Sequence, residues 1–317
     1  VNGETRGAWQ NFWDGAAPTT PNGTPGAARL PVVLDLAEQL MPVWVDALGG
    51  ARPVVSGMAS QLLSWTDAGT DVVLQDGSPV ALQAAGQLVA GAQTLCSDFS
   101  GISLPDDSVS LALSQFGVEY GGGEAMRELE RVAQNRAVFL AVVHKKGGAI
   151  ERDSASNRGL IDRFLETNLL KLTPQLFQAA FDHHAGRISD ADYLVVDQQV
   201  APAMEAVRDL VNQTRSEGAA NAGLATITGL VSDIGGLHER FGEYRLDDLL
   251  GWLSGWQYEL THYTTRMGSM LAAAMDSNEI EQWLDHWQPA NDTEPLFRAL
   301  ADADDQDYAW LVQARRA

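Results

Sequence analysis

The 317-residue chain predicts an all-α fold of packed helical bundles, with room for one small β-hairpin in its N-terminal part. Three observations predict it. Apolar residues recur at helical spacing along most of the chain from Leu30 onward. Ser189 and Asp192 form a capping-box pattern ahead of a long amphipathic stretch. Asp76-Gly77 is the one convincing turn of the hairpin sort.

Residues 1–27 are rich in Gly, Pro, Thr and Asn and read as a flexible tail, on which Trp9, Phe12 and Trp13 offer aromatic anchors. Residues 28–122 read as an N-terminal helical part. Its first helix, LPVVLDLAEQLMPVWVDALGG, is expected to kink at Pro42 and stop at Gly49-Gly50. Pro53 restarts a helix through VVSGMASQLLSW. Asp76-Gly77 then marks a small hairpin or a helix-connecting loop, ALQAAGQLVAGAQTL is helical, and SLPDDS and YGGGEA are loops.

Residues 123–317 read as the main bundle. VFLAVV, before Lys145-Lys146, reads as the C-terminal half of a helix capped by Gly147. After Ser189 comes a helix with Val200, Met204, Val207 and Val211 on one face and a bend expected at Pro202. Leu224, Ile227, Val231, Ile234 and Leu237 give the next helix its stripe. LDDLLGWLSGWQYELTHYTTRMGSMLAAAM is another long helix, and two shorter ones close the chain.

Composition narrows the function classes. Forty-two acidic against 21 basic residues give a net charge of -21, which repels nucleic acid and anionic membranes at long range. No apolar run reaches the roughly 18 residues of a membrane span. Cys96 stands alone, so neither an intrachain disulfide nor a C-x-x-C motif is available, and it reads as a core residue. No leader is visible. The cytoplasm is slightly favoured, and an extracytoplasmic location follows if a leader or anchor has been removed.

Against the acidic background, Arg127–Lys171 holds nine Lys/Arg and six Asp/Glu. Within it, Lys145 and Lys146 are two of only three lysines in the chain. They complement a helix C-terminus, or else Lys146, Arg152 or Arg158 converges with another arginine on a small planar anion. A second stretch, GLHERFGEYR, gathers Glu239, Arg240, Glu243 and Arg245. It is a solvated face with local ion pairs, or a site where Gly242 admits close approach of a backbone or ligand.

In order, Lys145-Lys146-Gly147, Arg158-x-x-x-Asp162 and Glu239-x-x-Gly242-x-x-Arg245 resemble the motifs of nitrate- and nitrite-sensing NIT domains, over roughly residues 133–270. The resemblance implies an all-helical, non-enzymatic sensor of signal transduction, with a nitrate-like anion clasped by Lys146, Arg158 and Arg245, Arg240 in reserve and Glu239 orienting a neighbouring arginine. No cofactor is read, and the partners expected are a small anion and a protein partner or second copy of the chain.

Two other readings stand beside it. Abundant Trp and an aromatic-bearing tail suit a helical subunit of an assembly with no small ligand. Glu259-x-x-His262, with Asp182, His183 and His184, suits a carboxylate-bridged metal enzyme, but the matching second motif is absent and Glu124, Glu128 and Glu130 are only loose candidates. No metal site is therefore assigned.

Overall fold

The computed structural model describes residues 3–15, 53–57, 72–88, 91–218, 222–290, 295–301 and 304–316. The helix expected from Leu30 to Gly50 lies outside them.

The all-α expectation is overturned: among the described residues eight strands form one mixed sheet, in the order β3-β2-β1-β4-β5-β8-β6, with β7 also paired to β8. In chain order the elements are α1 (Gly3–Gly15), β1 (Pro53–Gly57), β2 (Val73–Asp76), α2 (Pro79–Leu88), β3 (Gln93–Cys96) and β4 (Val109–Gln115). They continue with α3 (Gly122–Val132), β5 (Ala133–His144), α4 (Ala149–Glu166), α5 (Leu169–His184), α6 (Asp190–Ser216) and α7 (Ala222–Glu239). The last are α8 (Leu246–Ala273), α9 (Ser277–Trp283), β6 (Trp287–Pro289), β7 (Phe297–Ala301) and β8 (Asp307–Arg316).

β1, β2, β3, β4 and β5 pair in parallel, and β8 is antiparallel to β5, β6 and β7. The chain crosses from β1 to β2 and β3 on one side, then returns to place β4 and β5 on the other. The strand order therefore reverses between β1 and β4, which makes that point the topological switch of a doubly wound sheet.

β5 shows why the helical reading fails. Ala137, Phe139, Ala141 and Val143 join one apolar cluster, and Val138, Leu140 and Val142 join another. A central parallel strand is buried on both faces, so its sequence is a continuous apolar run rather than an alternation. The expected restart at Pro53 is likewise a strand, and residues 93–95, the end of the stretch read as helix, belong to edge strand β3. Cys96 is exposed rather than in the core.

The chain divides into two compact units, residues 1–152 with 269–317, and residues 153–268. The first holds the sheet. The second is helical with its own apolar cluster, including Leu160, Phe164, Phe177, Val207, Ile227 and Leu253. Ser189 and Asp192 form the expected reciprocal capping box, and of the expected stripe on α7 Ile227 and Ile234 are buried while Leu224, Val231 and Leu237 pack half-buried beside them, with Leu230 buried in addition. α6 continues through Pro202. No helix among the described residues is long and apolar enough to cross a membrane.

In the sheet unit, Arg131 on α3 ties down the loop that leads into β4. Its guanidinium donates to Ile102 O (2.7 Å), Leu104 O (2.9 Å), Asp106 Oδ1 (2.6 Å) and Glu128. Glu128 Oε2 also accepts the Ile102 N–H at 2.9 Å. The Arg131 hydrogen bond holds the Glu128 carboxyl below its ordinary range. Arg131→Ala is expected to lower stability by about 2–3 kcal/mol in denaturant titrations, and Arg131→Lys to recover little, because one ammonium cannot fork to four acceptors. A loss below about 0.5 kcal/mol would mean the clamp is idle.

Candidate functional site

Because β1 to β5 are parallel, their carboxyl ends lie along one edge, the edge where doubly wound sheets bind ligands. Three carboxylates and two glutamines collect there.

Asp76 ends β2. Its Oδ1 accepts the Ser78 N–H at 2.8 Å, and Ser78 Oγ in turn accepts the Ala81 N–H at 3.3 Å. Ser78 thus caps α2, whose first residue is Pro79, a residue suited to that position because its missing N–H has no helical partner. Asp76-Gly77 is therefore a strand-to-helix turn, not a hairpin. Burial pushes the Asp76 carboxyl up to about 6, opposed by the N–H groups of Ser78 and Gly77 and assisted by Asp98. Asp98 crowds the turn: a Cβ on Gly77 would lie 3.3 Å from its Oδ1.

Gln75 and Gln115 are fully buried neighbours of this turn and of the switch point. Gln75 Nε2 donates to Ser97 Oγ (3.2 Å) and Asp98 O (3.3 Å), while its Oε1 has no partner. Gln115 ends β4, and among the described residues neither atom of its amide has a partner. A buried amide left wholly unpaired is costly, and it points to a ligand that completes it. Phe116, next in the chain, has φ +52°, a strained backbone for a non-glycine residue of the kind that gathers at working sites.

After β4 come Glu119 and Tyr120, and β5 ends at His144. Glu119 Oε1 lies 2.7 Å from His144 Nδ1, and the imidazole packs against Phe116 at 4.4 Å between ring centroids. Burial first, then the charge of Glu119, pushes the Tyr120 hydroxyl well above its ordinary range, so it stays protonated. α1, formed within the stretch read as a tail, meets this edge. Arg6 pairs with Asp98, Trp9 packs edge-on to Tyr120 at 5.8 Å, and Trp9 Nε1 donates to Ser269 Oγ at 3.1 Å.

The residues singled out in the sequence have local partners. Lys145 and Lys146 follow a strand, not a helix. Lys145 pairs with Asp307 at 3.5 Å and lies 4.7 Å over the Trp310 ring, and Lys146 pairs with Glu279 at 3.5 Å. In the helical unit Arg158 pairs with Asp162 at 3.5 Å, its guanidinium lying where a Cβ on Gly268 would stand 3.2 Å away. Arg240 donates to Gly236 O at 3.3 Å, Arg245 is 3.8 Å from Asp247, and Glu239 is exposed. Gly242 has open space where a Cβ would be. Glu259 pairs with Arg266 at 2.8 Å and His183 with Asp190 at 2.6 Å. Among the described residues no group of three His, Cys, Asp or Glu could hold a metal ion.

No protein-family model matches the chain, and no curated protein matches it. Among solved structures it is similar to a SAM dependent methyltransferase from Aquifex aeolicus, at 18% identity and TM-score 0.30 over 34% of this chain and 64% of that one. The N-methyltransferase NodS from Bradyrhizobium japonicum, in complex with S-adenosyl-L-homocysteine, matches at 12% identity and TM-score 0.37 over 47% of this chain and 77% of that one. A possible exported protein from Bordetella parapertussis matches at 12% and 0.42 over 97% and 78%. The chain spans 64% of the Aquifex protein and 56% of a methyltransferase from Mesorhizobium loti, less than two thirds of either.

The nitrate-sensor reading, with its small-anion partner, is overturned here. Residues 133–144, where the NIT resemblance begins, are strand β5 inside a mixed sheet, not part of a helical sensor. What the sequence did offer was Asp76-Gly77-Ser78-Pro79, an acid, a cap and a helix-starting proline after the apolar run VVL.

Proposed function

We propose that the sheet unit is a methyl-transfer enzyme that binds an adenosine cofactor of the S-adenosyl sulfonium class across the carboxyl ends of β1, β2 and β4. The observation that carries this reading is Asp76. It ends the strand next to the switch point, its Oδ1 is held by the Ser78 N–H of its own turn, and its carboxyl is half-buried at the carboxyl edge of the sheet. A ribose diol supplies two hydrogen-bond donors, and accepting them is the role an acidic residue plays in doubly wound nucleotide sites.

Three features favour a sulfonium over a phosphate-bearing cofactor. The sequence after β1, Gly57-Met58-Ala59-Ser60-Gln61-Leu62, lacks the second and third glycines of the G-x-G-x-x-G fingerprint that lets backbone approach a pyrophosphate. Asp76 and Asp98 stand together at the turn after β2, with Arg6 set against Asp98, an arrangement that disfavours a polyphosphate. Past β5 the sheet turns antiparallel, so a second parallel nucleotide-binding half is not built. The bound cofactor would supply an electrophilic methyl group. The chain's own part is to accept from the ribose at Asp76 and to meet polar atoms with the Gln115 amide.

Calorimetry with S-adenosylhomocysteine, NAD and ATP tests the reading. Binding of S-adenosylhomocysteine in about the micromolar range is expected, with NAD and ATP far weaker, and Asp76→Ala should abolish it. No binding of S-adenosylhomocysteine at about millimolar concentration, or a preference for NAD, overturns the proposal.

A further inference from the structure

The buried pair Glu119–His144 has no task in holding the cofactor. Glu119 Oε1 contacts His144 Nδ1 at 2.7 Å and also accepts the His144 backbone N–H at 3.2 Å. The two side chains are 0% and 8% exposed. Phe116 stacks on the imidazole and Tyr120 meets it edge-on at 5.9 Å. An oxygen already accepting one N–H is set up to accept a second, which places the imidazole proton on Nδ1 and leaves a lone pair on Nε2. Among the described residues none of the hydrogen bonds of His144 engages Nε2. The second Glu119 oxygen, Oε2, is buried without a partner. A carboxylate so placed is poised to stabilise a charge on the ring, the base-and-orienter arrangement of acid–base sites.

We propose that His144 is the proton acceptor for the methyl-accepting substrate, with Glu119 as its positioning residue, and hence that the substrate is a nucleophile carrying its own proton, an O–H or N–H compound. This rests on the methyl-transfer reading above. In the step, the substrate's O–H or N–H bond breaks and its proton goes to Nε2. The electron pair on the substrate's oxygen or nitrogen forms the new bond to the methyl carbon, and the pair of the broken carbon–sulfur bond stays on the departing thioether. No outside oxidant or reductant is needed. The imidazolium is balanced by Glu119, through Nδ1–H.

Two measurements on the wild-type protein decide it. Long-range proton–nitrogen NMR of histidine-labelled protein should find the neutral form of His144 protonated on Nδ1 and bare on Nε2. Diethyl pyrocarbonate, which acylates a bare and reachable imidazole nitrogen, should modify His144, and bound S-adenosylhomocysteine should slow the modification at least about tenfold. Glu119→Ala should shift His144 towards the Nε2–H form. A proton on Nε2 in the wild type, or a His144 that stays unmodified while exposed histidines react, overturns the proposal, since a merely structural pair needs no reachable Nε2. S-adenosylhomocysteine calorimetry on the same sample separates the failures. If the ligand binds and His144 fails these tests, only the base assignment falls. If it does not bind, the methyl-transfer reading falls with it.

Discussion

Asp76→Asn is expected to stabilise the folded protein above about pH 6 while weakening its affinity for S-adenosylhomocysteine. In the folded chain the Asp76 carboxyl is pushed from 3.8 up to about 6 by burial. Between these values the folded state holds more protons than the unfolded chain, so stability falls as pH rises and the full penalty is present above pH 6. Asparagine carries no charge to bury, and its Oδ1 still accepts the Ser78 N–H that shapes the turn. The variant should therefore match wild type below about pH 4 and exceed it by about 2–3 kcal/mol near pH 8. Glu128 acts with the opposite sign, since its lowered carboxyl adds stability that is lost on acidification, but this contribution is common to both proteins and cancels in the difference. The affinity moves the other way, because the amide puts N–H groups where ribose hydroxyls must donate. A loss of at least about tenfold is expected from one charge-assisted hydrogen bond. Urea titrations at both pH values, with calorimetry alongside, check the pair of effects. A variant no more stable than wild type at pH 8 would show that the carboxylate pays no burial penalty.

How far the sequence could be read depends on burial geometry. The helices of residues 153–268 pack one face each, so Ile227, Leu230 and Ile234 recur at helical spacing, and the Ser189–Asp192 box marks where α6 begins. β5 is buried on both faces, and its run AVFLAVV has no period to read, so it is indistinguishable from a buried helix. With the strands invisible, the candidate site was invisible too. Asp76 means something only once VVL is a strand beside β1. Gln115, Glu119 and His144 converge only because β4 and β5 are parallel neighbours. The lysine pair drew the eye because lysine is rare here, but its members answer two returning segments. Lys145 meets Asp307 and Trp310 on β8, and Lys146 meets Glu279 on α9. The same junction fixes Gly148, where a Cβ would stand 2.9 Å from Lys145 O and 3.1 Å from Tyr308 O.

Phe139→Ala and Phe177→Ala are expected to destabilise different parts of the molecule, each by about 3–5 kcal/mol. Phe139 is 1% exposed at the centre of β5, with its ring 5.9 Å from Trp283 and 5.6 Å from Trp287. Removing it leaves a cavity between two indoles that the paired strands β4 and β8 on either side cannot close by shifting, because their ladders fix β5 in place. Phe177 is 0% exposed on α5, in the apolar cluster of the helical unit. The clusters of the two units share no residue, so each cavity removes contacts from one core only. Hydrogen exchange read by mass spectrometry should show Phe139→Ala releasing β4, β5 and β8 amides first, and Phe177→Ala releasing α5, α6 and α7. Equal loss of protection in both units from either substitution would mean that they unfold as one. Separate responses would mean that the helical unit can change in stability while the sheet edge, with Asp76, Gln115 and His144, keeps its geometry. S-adenosylhomocysteine binding that survives Phe177→Ala and fails in Phe139→Ala is the functional form of the same result.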